Sequence, residues 1–195
     1  MAPTPNIVPL DFSRAMAELH SMQWRPGLVV EEIGSPQKIA PHSIALSAEL
    51  LVDGDEDDVL GNGRLILLHD PAGNDGWGGP FRIVSYARAD VDLEMVTDPL
   101  LPEVAWSWMT DALQQHGAKH RHLAGTVTAS YGKGFGDMSE SDDRAEVELR
   151  CSWTPQLNEE DRLMGHLEAW QDLLGMLAGT PSLPEGIVKF PGRSS

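Results

Sequence analysis

Apolar and polar residues alternate with a period of two along the clearest stretches of this chain. From Phe81 to Leu93 one side of the alternation holds Phe81, Ile83, Ser85, Ala87, Ala89, Val91 and Leu93, and the other holds Arg82, Tyr86, Arg88, Asp90 and Asp92. From Arg144 to Thr154, Ala145, Val147, Leu149, Cys151 and Trp153 oppose Arg144, Glu146, Glu148 and Arg150. Successive side chains of a strand point to opposite faces, so this pattern predicts strands with one buried and one wet face. Ile44–Asp53 alternates in the same way, and Gly125–Tyr131 sets Thr126, Thr128 and Ser130 on a polar side. Leu28–Ile33 is short and β-branched, while Arg64–His69 is uniformly apolar enough for a central strand. Short connections between these runs favour antiparallel neighbours.

Three stretches follow the helical spacing of three and four instead. Behind Asp11 as a cap come Phe12, Ala15, Met16 and Leu19, and Trp24-Arg25-Pro26-Gly27 ends the element. Asp98-Pro99 and Leu101-Pro102 open a second helix that closes at His116-Gly117. Its apolar face is Val104, Ala105, Trp108 and Ala112, widened by Trp106, Met109 and Leu113. Trp106 and Trp108 point in different directions, and one or both read as core. The third helix starts at the Asn158/Asp161 cap, carries Leu163, Leu167, Trp170, Leu174 and Leu177, and stops at Gly179 and Pro181. Burying those five side chains yields about 8–15 kcal/mol. Fixing about twenty backbone residues costs more, so the helix must dock. Its own sheet is the natural surface, because a coiled-coil seam needs longer repetition. The order is therefore α-β-β-β-β-α-β-β-α. It predicts an α+β domain with a mostly antiparallel sheet of about five to seven strands and three helices on one face. Residues 10–179 form that domain, with a flexible arm over 1–9 and an extended tail over 180–195.

Composition fits one domain. A chain of 195 residues, 41% hydrophobic with six tryptophans and eight methionines, can build a sizeable core. Its formal charge of −16 repels phosphate backbones and anionic lipid, which argues against nucleic acid or a membrane as partner. The same charge promotes solubility and attracts basic partners. Cys151 is the lone cysteine, and no apolar run or basic leader suggests export, so a cytoplasmic location is expected.

Candidate chemistry concentrates in Leu67–Phe81, read as a hairpin loop far longer than a hairpin needs. Catalytic candidates there are His69 as a general base, with Asp70 or Asp75 to orient it. His69 and Asp70 are sequence neighbours near a strand end and point to opposite faces, and the segment has no serine or cysteine nucleophile. Ligand-binding candidates are Trp77 as a stacking wall, Gly78, Gly79 and Arg82. The competing reading is two consecutive turns with Trp77 as a lid on the core. In His116–His122, His120 and His122 form an incomplete metal edge beside Lys119 and Arg121, and the cations suit a helix C-terminus better. The acidic run Asp53–Asp58 lacks the glycine and the glutamate of a calcium loop and reads as a solvated hairpin loop. Lys133–Asp137 reads as a hairpin tip, and Cys151 as an inert buried thiol. No metal site and no cofactor motif is found.

Several segments taken together resemble an actinobacterial family catalogued as domain of unknown function 3000. They are Gly63-Arg64-Leu65, Leu68-His69-Asp70-Pro71-Ala72-Gly73, Trp77-Gly78-Gly79, Asp98-Pro99-Leu100-Leu101-Pro102, Trp106 to Leu113, Gly125-Thr126-Val127-Thr128, Ser152-Trp153-Thr154-Pro155, Ala169-Trp170 and Asp172-Leu173-Leu174. The resemblance implies a cytosolic single-domain protein and carries over no catalytic residue. The element order is also close to that of small acidic secretion chaperones, which dimerise and hold extended client segments, an analogy at fold level. The expectation is a non-enzymatic binding or protein-interaction module with an acidic surface, a protein partner and a homodimer both being open. The alternative is a small-molecule binder or enzyme using the His69–Trp77 loop.

Overall fold

A computed structural model of the protein describes residues 8–36, 38–52, 55–138 and 143–180, with the side chains of 55–57 left aside. The first seven residues of the arm, Asp53 and Gly54 of the acidic run, and the tail beyond Thr180 lie outside the described residues. The elements are α1 (Leu10–Ser21), β1 (Leu28–Ile33), β2 (His42–Val52), β3 (Asp55–Asn74), β4 (Gly79–Asp90), α2 (Leu93–Val96), α3 (Leu101–Gln115), β5 (His120–Gly132), β6 (Arg144–Pro155) and α4 (Met164–Leu177).

All six strands form one antiparallel sheet in the order β1-β2-β3-β4-β6-β5. β1 to β4 run as a meander of hairpins. β4 and β5 are both antiparallel to β6, hence parallel to each other, and parallel strands need a crossover. α2 and α3 make it, and β6 then returns into the slot between them.

One face of the sheet is sealed. Leu65, Leu67, Ile83, Ala87, Val147, Leu149 and Trp153 point inward, each fully buried, against Met109 and Leu113 of α3 and Leu167, Trp170 and Leu173 of α4. The closest approach is at Gly63 on β3. A β-carbon there would lie 2.7 Å from a methyl of Leu174 and 3.1 Å from the Trp170 ring. α1 joins the layer through Phe12, Ala15 and Leu19. Its Glu18, buried, accepts from the Met164 N–H at 3.2 Å and from Arg162 Nε at 2.5 Å. A carboxylate thus sits on the free N–H groups at the start of α4, where the helix dipole favours negative charge.

The α+β architecture with helices on one face matches the alternation in the sequence, and the boundaries show where local signals misled. β4 ends at Asp90, and Leu93 begins the short helix α2, a fourth helix the pattern did not separate. α4 starts at Met164 because Asn158 turns the chain on itself, its Oδ1 accepting from the N–H groups of Glu160 and Asp161. On α3 Val104 is exposed, and the buried stripe is Leu101, Ala105, Met109, Ala112 and Leu113. β3 resumes at Asp55, so most of the acidic run lies in a strand rather than a loop. Gly63→Val should lower stability by about 1–3 kcal/mol, since the added methyls must displace Trp170 or Leu174. Urea denaturation measures this, and an unchanged midpoint would show that α4 does not press on β3.

Candidate functional site on the open sheet face

Among the described residues no helix lies on the opposite face of the sheet, and its side chains follow from the register. Arg64 pairs with Tyr86, Tyr86 with Arg150, and Arg150 with Thr126, giving one row across four strands. The next row is Ile66, Val84, Ser152 and Ala124. Neighbouring strands lie about 4.8 Å apart, so the Arg64 and Arg150 backbones flank Tyr86 at a separation of about 10 Å. Together with Asn62 these rows line a hollow of about 980 Å³. At its edge Gly125 lets β5 close on β6, since a β-carbon there would come within 2.7 Å of the Cys151 β-carbon.

The charged groups that line the hollow, Arg64 and Arg150, are donors only. The Arg150 guanidinium lies 5.5 Å from the Tyr86 ring centroid, and its Nε is 2.7 Å from Glu148. Arg88 pairs with Glu146 one row further along. Tyr86 is held above the ordinary phenol range, first by burial and then by the Glu148 carboxylate. Arg82 is half-buried and donates to Ser152 Oγ at 2.6 Å, to Thr154 Oγ1 at 3.0 Å and to the His122 carbonyl at 3.1 Å. Burial lowers its pKa. None of the lining residues is acidic.

The structure divides the residues singled out in Leu67–Phe81. The segment is a hairpin arm rather than a loop: Asn74 pairs with Gly79, and between His69 and Asn74 four residues of β3 face the single Pro80 of β4, a bulge of three extra residues. Asp70 Oδ1 accepts from the Ala72 N–H at 3.1 Å, and Asn74 Oδ1 from the Gly76 N–H at 2.9 Å. Pro71 and Gly73 therefore shape a bulge instead of a connection. His69 turns to the sealed face, 2% exposed. Its ring stacks on Phe12 at 5.6 Å, lies 4.3 Å from Phe81 and 5.9 Å from His42, and its Nδ1 has no hydrogen-bond partner among the described residues. Burial, then the neighbouring His42, lowers its pKa against the opposing pull of Asp11 and Asp70. Asp75 is exposed in the turn at the tip, and no hydrogen bond joins His69 to either aspartate among the described residues.

Trp77, Gly78, Gly79 and Arg82, by contrast, are brought together. The Trp77 carbonyl accepts from the Thr154 hydroxyl, which also accepts from Arg82. A β-carbon on Gly78 would meet His122 Nε2 at 2.6 Å, and one on Gly79 would lie 3.1 Å from Thr154 Cγ2. His122 has a φ of +52° in the irregularity where β5 slips against β6. These residues bolt the hairpin tip and the β5 irregularity to the end of β6, beside the hollow.

The other histidines have structural partners. His116 ends α3 between two carboxylates of α4, Asp172 at 2.7 Å and Glu168 at 3.3 Å. His120 Nδ1 lies 2.8 Å from the Ala118 carbonyl. His166 is buried, accepts from Trp153 Nε1 at 3.1 Å, and is pushed down to about 4, chiefly by burial and then by His120. Cys151 is buried opposite Ser85, and burial pushes its thiol up to about 12, so it is held protonated. No group of three metal-ligating side chains occurs among the described residues.

The residues that line the hollow were half visible beforehand. Tyr86 and Arg150 alternate outward in the sequence, as do Arg82 and Arg88 beside the hollow, but Arg64 belongs to a more uniformly apolar run. Short connections point to neighbours among β1 to β4, and nothing local tells that β6 lies beside β4.

Fold and site together define an α+β domain with a single antiparallel sheet, sealed on one face and hollowed on the other. The chain belongs to the family described as protein of unknown function (DUF3000), whose model matches residues 8–188. No curated relative and no solved structure matches it. Among the described residues no helix is long and apolar enough to cross a membrane.

His166 yields a pH dependence with a definite sign. Its folded value lies below the ordinary 6.5, so the unfolded chain takes up the proton first. Stability is full above pH 6.5 and falls as pH drops toward 4. Between pH 7 and pH 5 the expected loss from this group is about 2 kcal/mol. His166→Asn should flatten that part of the urea-midpoint profile; a profile as steep as wild type would show that burial does not hold the imidazole neutral.

Proposed function

We propose that the protein is a non-enzymatic binding module and that the open sheet face is its binding surface. The observation that carries this reading is the hollow of about 980 Å³ on a face that no helix of the described residues covers. Binding sites are concave, largely apolar and furnished with a few placed polar groups. Ile66, Val84 and Ala124 supply the apolar floor, and Arg64, Arg150 and Ser152 the polar points. The enzyme reading draws less support: His69 sits among aromatic rings on the sealed face, Asp75 lies at the hairpin tip, and the Leu67–Phe81 segment holds no serine or cysteine.

One observation favours a protein as the bound partner. β5 is a sheet edge of thirteen residues, and from Leu123 to Gly132 it carries no charged side chain. Edge strands are ordinarily blunted by charge or proline, and a bare one invites another strand. An extended segment of a partner, or β5 of a second copy, could add there next to the hollow.

Ligand binding to the native state raises the melting temperature by mass action. In concentrated extract of its own cells the wild-type protein should melt several degrees higher than in buffer. Val84→Trp, which fills the hollow, should lose the gain, and Leu100→Trp, on an exposed position beside α3, should keep it. No gain for wild type, or a gain retained by Val84→Trp, contradicts the reading. A gain that stays with the high-mass fraction of the extract indicates a protein partner.

A further inference from the structure

The hollow also specifies a ligand chemistry, and this step rests on the reading that the open face binds. We propose that it takes an organic acid with an apolar body, the acid group held between Arg64 and Arg150 and the body lying over Ile66, Val84 and Ala124.

The first argument is charge. In a chain of net charge −16, the residues lining the hollow include two guanidinium groups and no carboxylate. Arg150 is partly offset by Glu148, which lies outside the lining, at 2.7 Å. Arg64 has no ion pair among the described residues and stands exposed on a central strand. The hollow is thus short of about one negative charge, which suits a monoanion better than a polyphosphate. Glu146 and Glu148 on the same face would repel further charge.

The second argument is hydrogen bonding. Ser152 Oγ already accepts from Arg82 at 2.6 Å, so its own proton is available to a ligand. Arginine has donors only. A carboxylate, acceptor only and matched to the guanidinium fork, answers both.

The third argument is the floor. Val84 is 37% exposed on the row that also holds Ile66 and Ala124, and an apolar patch beside two cations selects an amphipathic partner. Ion pairs in an open hollow are individually weak, so the acid needs an apolar body to be held at all.

The test uses the full chain with an aromatic sulfonate, 8-anilinonaphthalene-1-sulfonate, as fluorescent probe and three displacing ligands of equal chain length: decanoate, decanol and decylammonium. Decanoate should displace the probe at least tenfold more effectively than decylammonium and better than decanol. Arg64→Gln and Arg150→Gln, each with wild-type circular dichroism and urea midpoint, should weaken decanoate at least fivefold and leave decanol unchanged. Val84→Trp should abolish displacement. The proposal is overturned if decylammonium equals decanoate, if both glutamine variants bind decanoate like wild type, or if Val84→Trp leaves decanoate binding intact. If decanoate fails while Val84→Trp still removes the stabilisation in cell extract, the acid assignment falls and the binding reading stands. If neither effect is seen, both fall.

Discussion

The contact that organises this molecule is the docking of α4 on the middle of the sheet. Trp170 and Leu174 press onto β3 where Gly63 leaves no β-carbon in the way, and Leu167, Leu173 and Leu177 complete the buried side. α4 then ties down the other long helices. Glu18 fastens α1 to its start, and His116 at the end of α3 reaches Glu168 and Asp172 along its length. The buried stripes of α1, α3 and α4 are therefore spent on one face of the sheet. Among the described residues the other face is left to its own side chains, and its rows of Arg64–Tyr86–Arg150 and Ile66–Val84–Ser152 form the hollow.

This asymmetry sorts the titratable groups as well. On the sealed side, burial sets the chemistry: His166 and His69 are pushed toward the neutral form, and the Cys151 thiol toward the protonated one. Such groups are poised for packing rather than for proton transfer. On the open side, Arg64 and Arg150 stand exposed to water. Arg82 bridges the two requirements, giving up exposure to hold Ser152, Thr154 and the His122 carbonyl in place.

Much of the fold was legible from periodicity. Phe81–Asp90 and Arg144–Pro155 alternate because one face of each strand is buried and one is wet, and Leu163 to Leu177 repeat because one side of α4 is buried. What failed was local punctuation overruled by pairing. Pro71 and Gly73 look like turn residues, yet the strands on either side pair beyond them at Asn74 and Gly79. Leu93 fits the alternation of β4, but the ladder has already ended and the chain has turned into α2. The site was the least legible part. Arg64 and Tyr86 meet in the hairpin of β3 and β4, but Arg150 joins them only because β6 pairs with β4, a choice that leaves no mark in any single segment.

The most direct measurement of that two-faced arrangement is thiol reactivity on each side of the same sheet. The native chain has only Cys151, which should react with a maleimide no faster than the protein unfolds. Val84→Cys, one strand away on the open face, should be modified at the rate of a free thiol under identical native conditions. A reactive Cys151, or a Val84→Cys as protected as Cys151, would mean that the helices do not cover one face and leave the other bare.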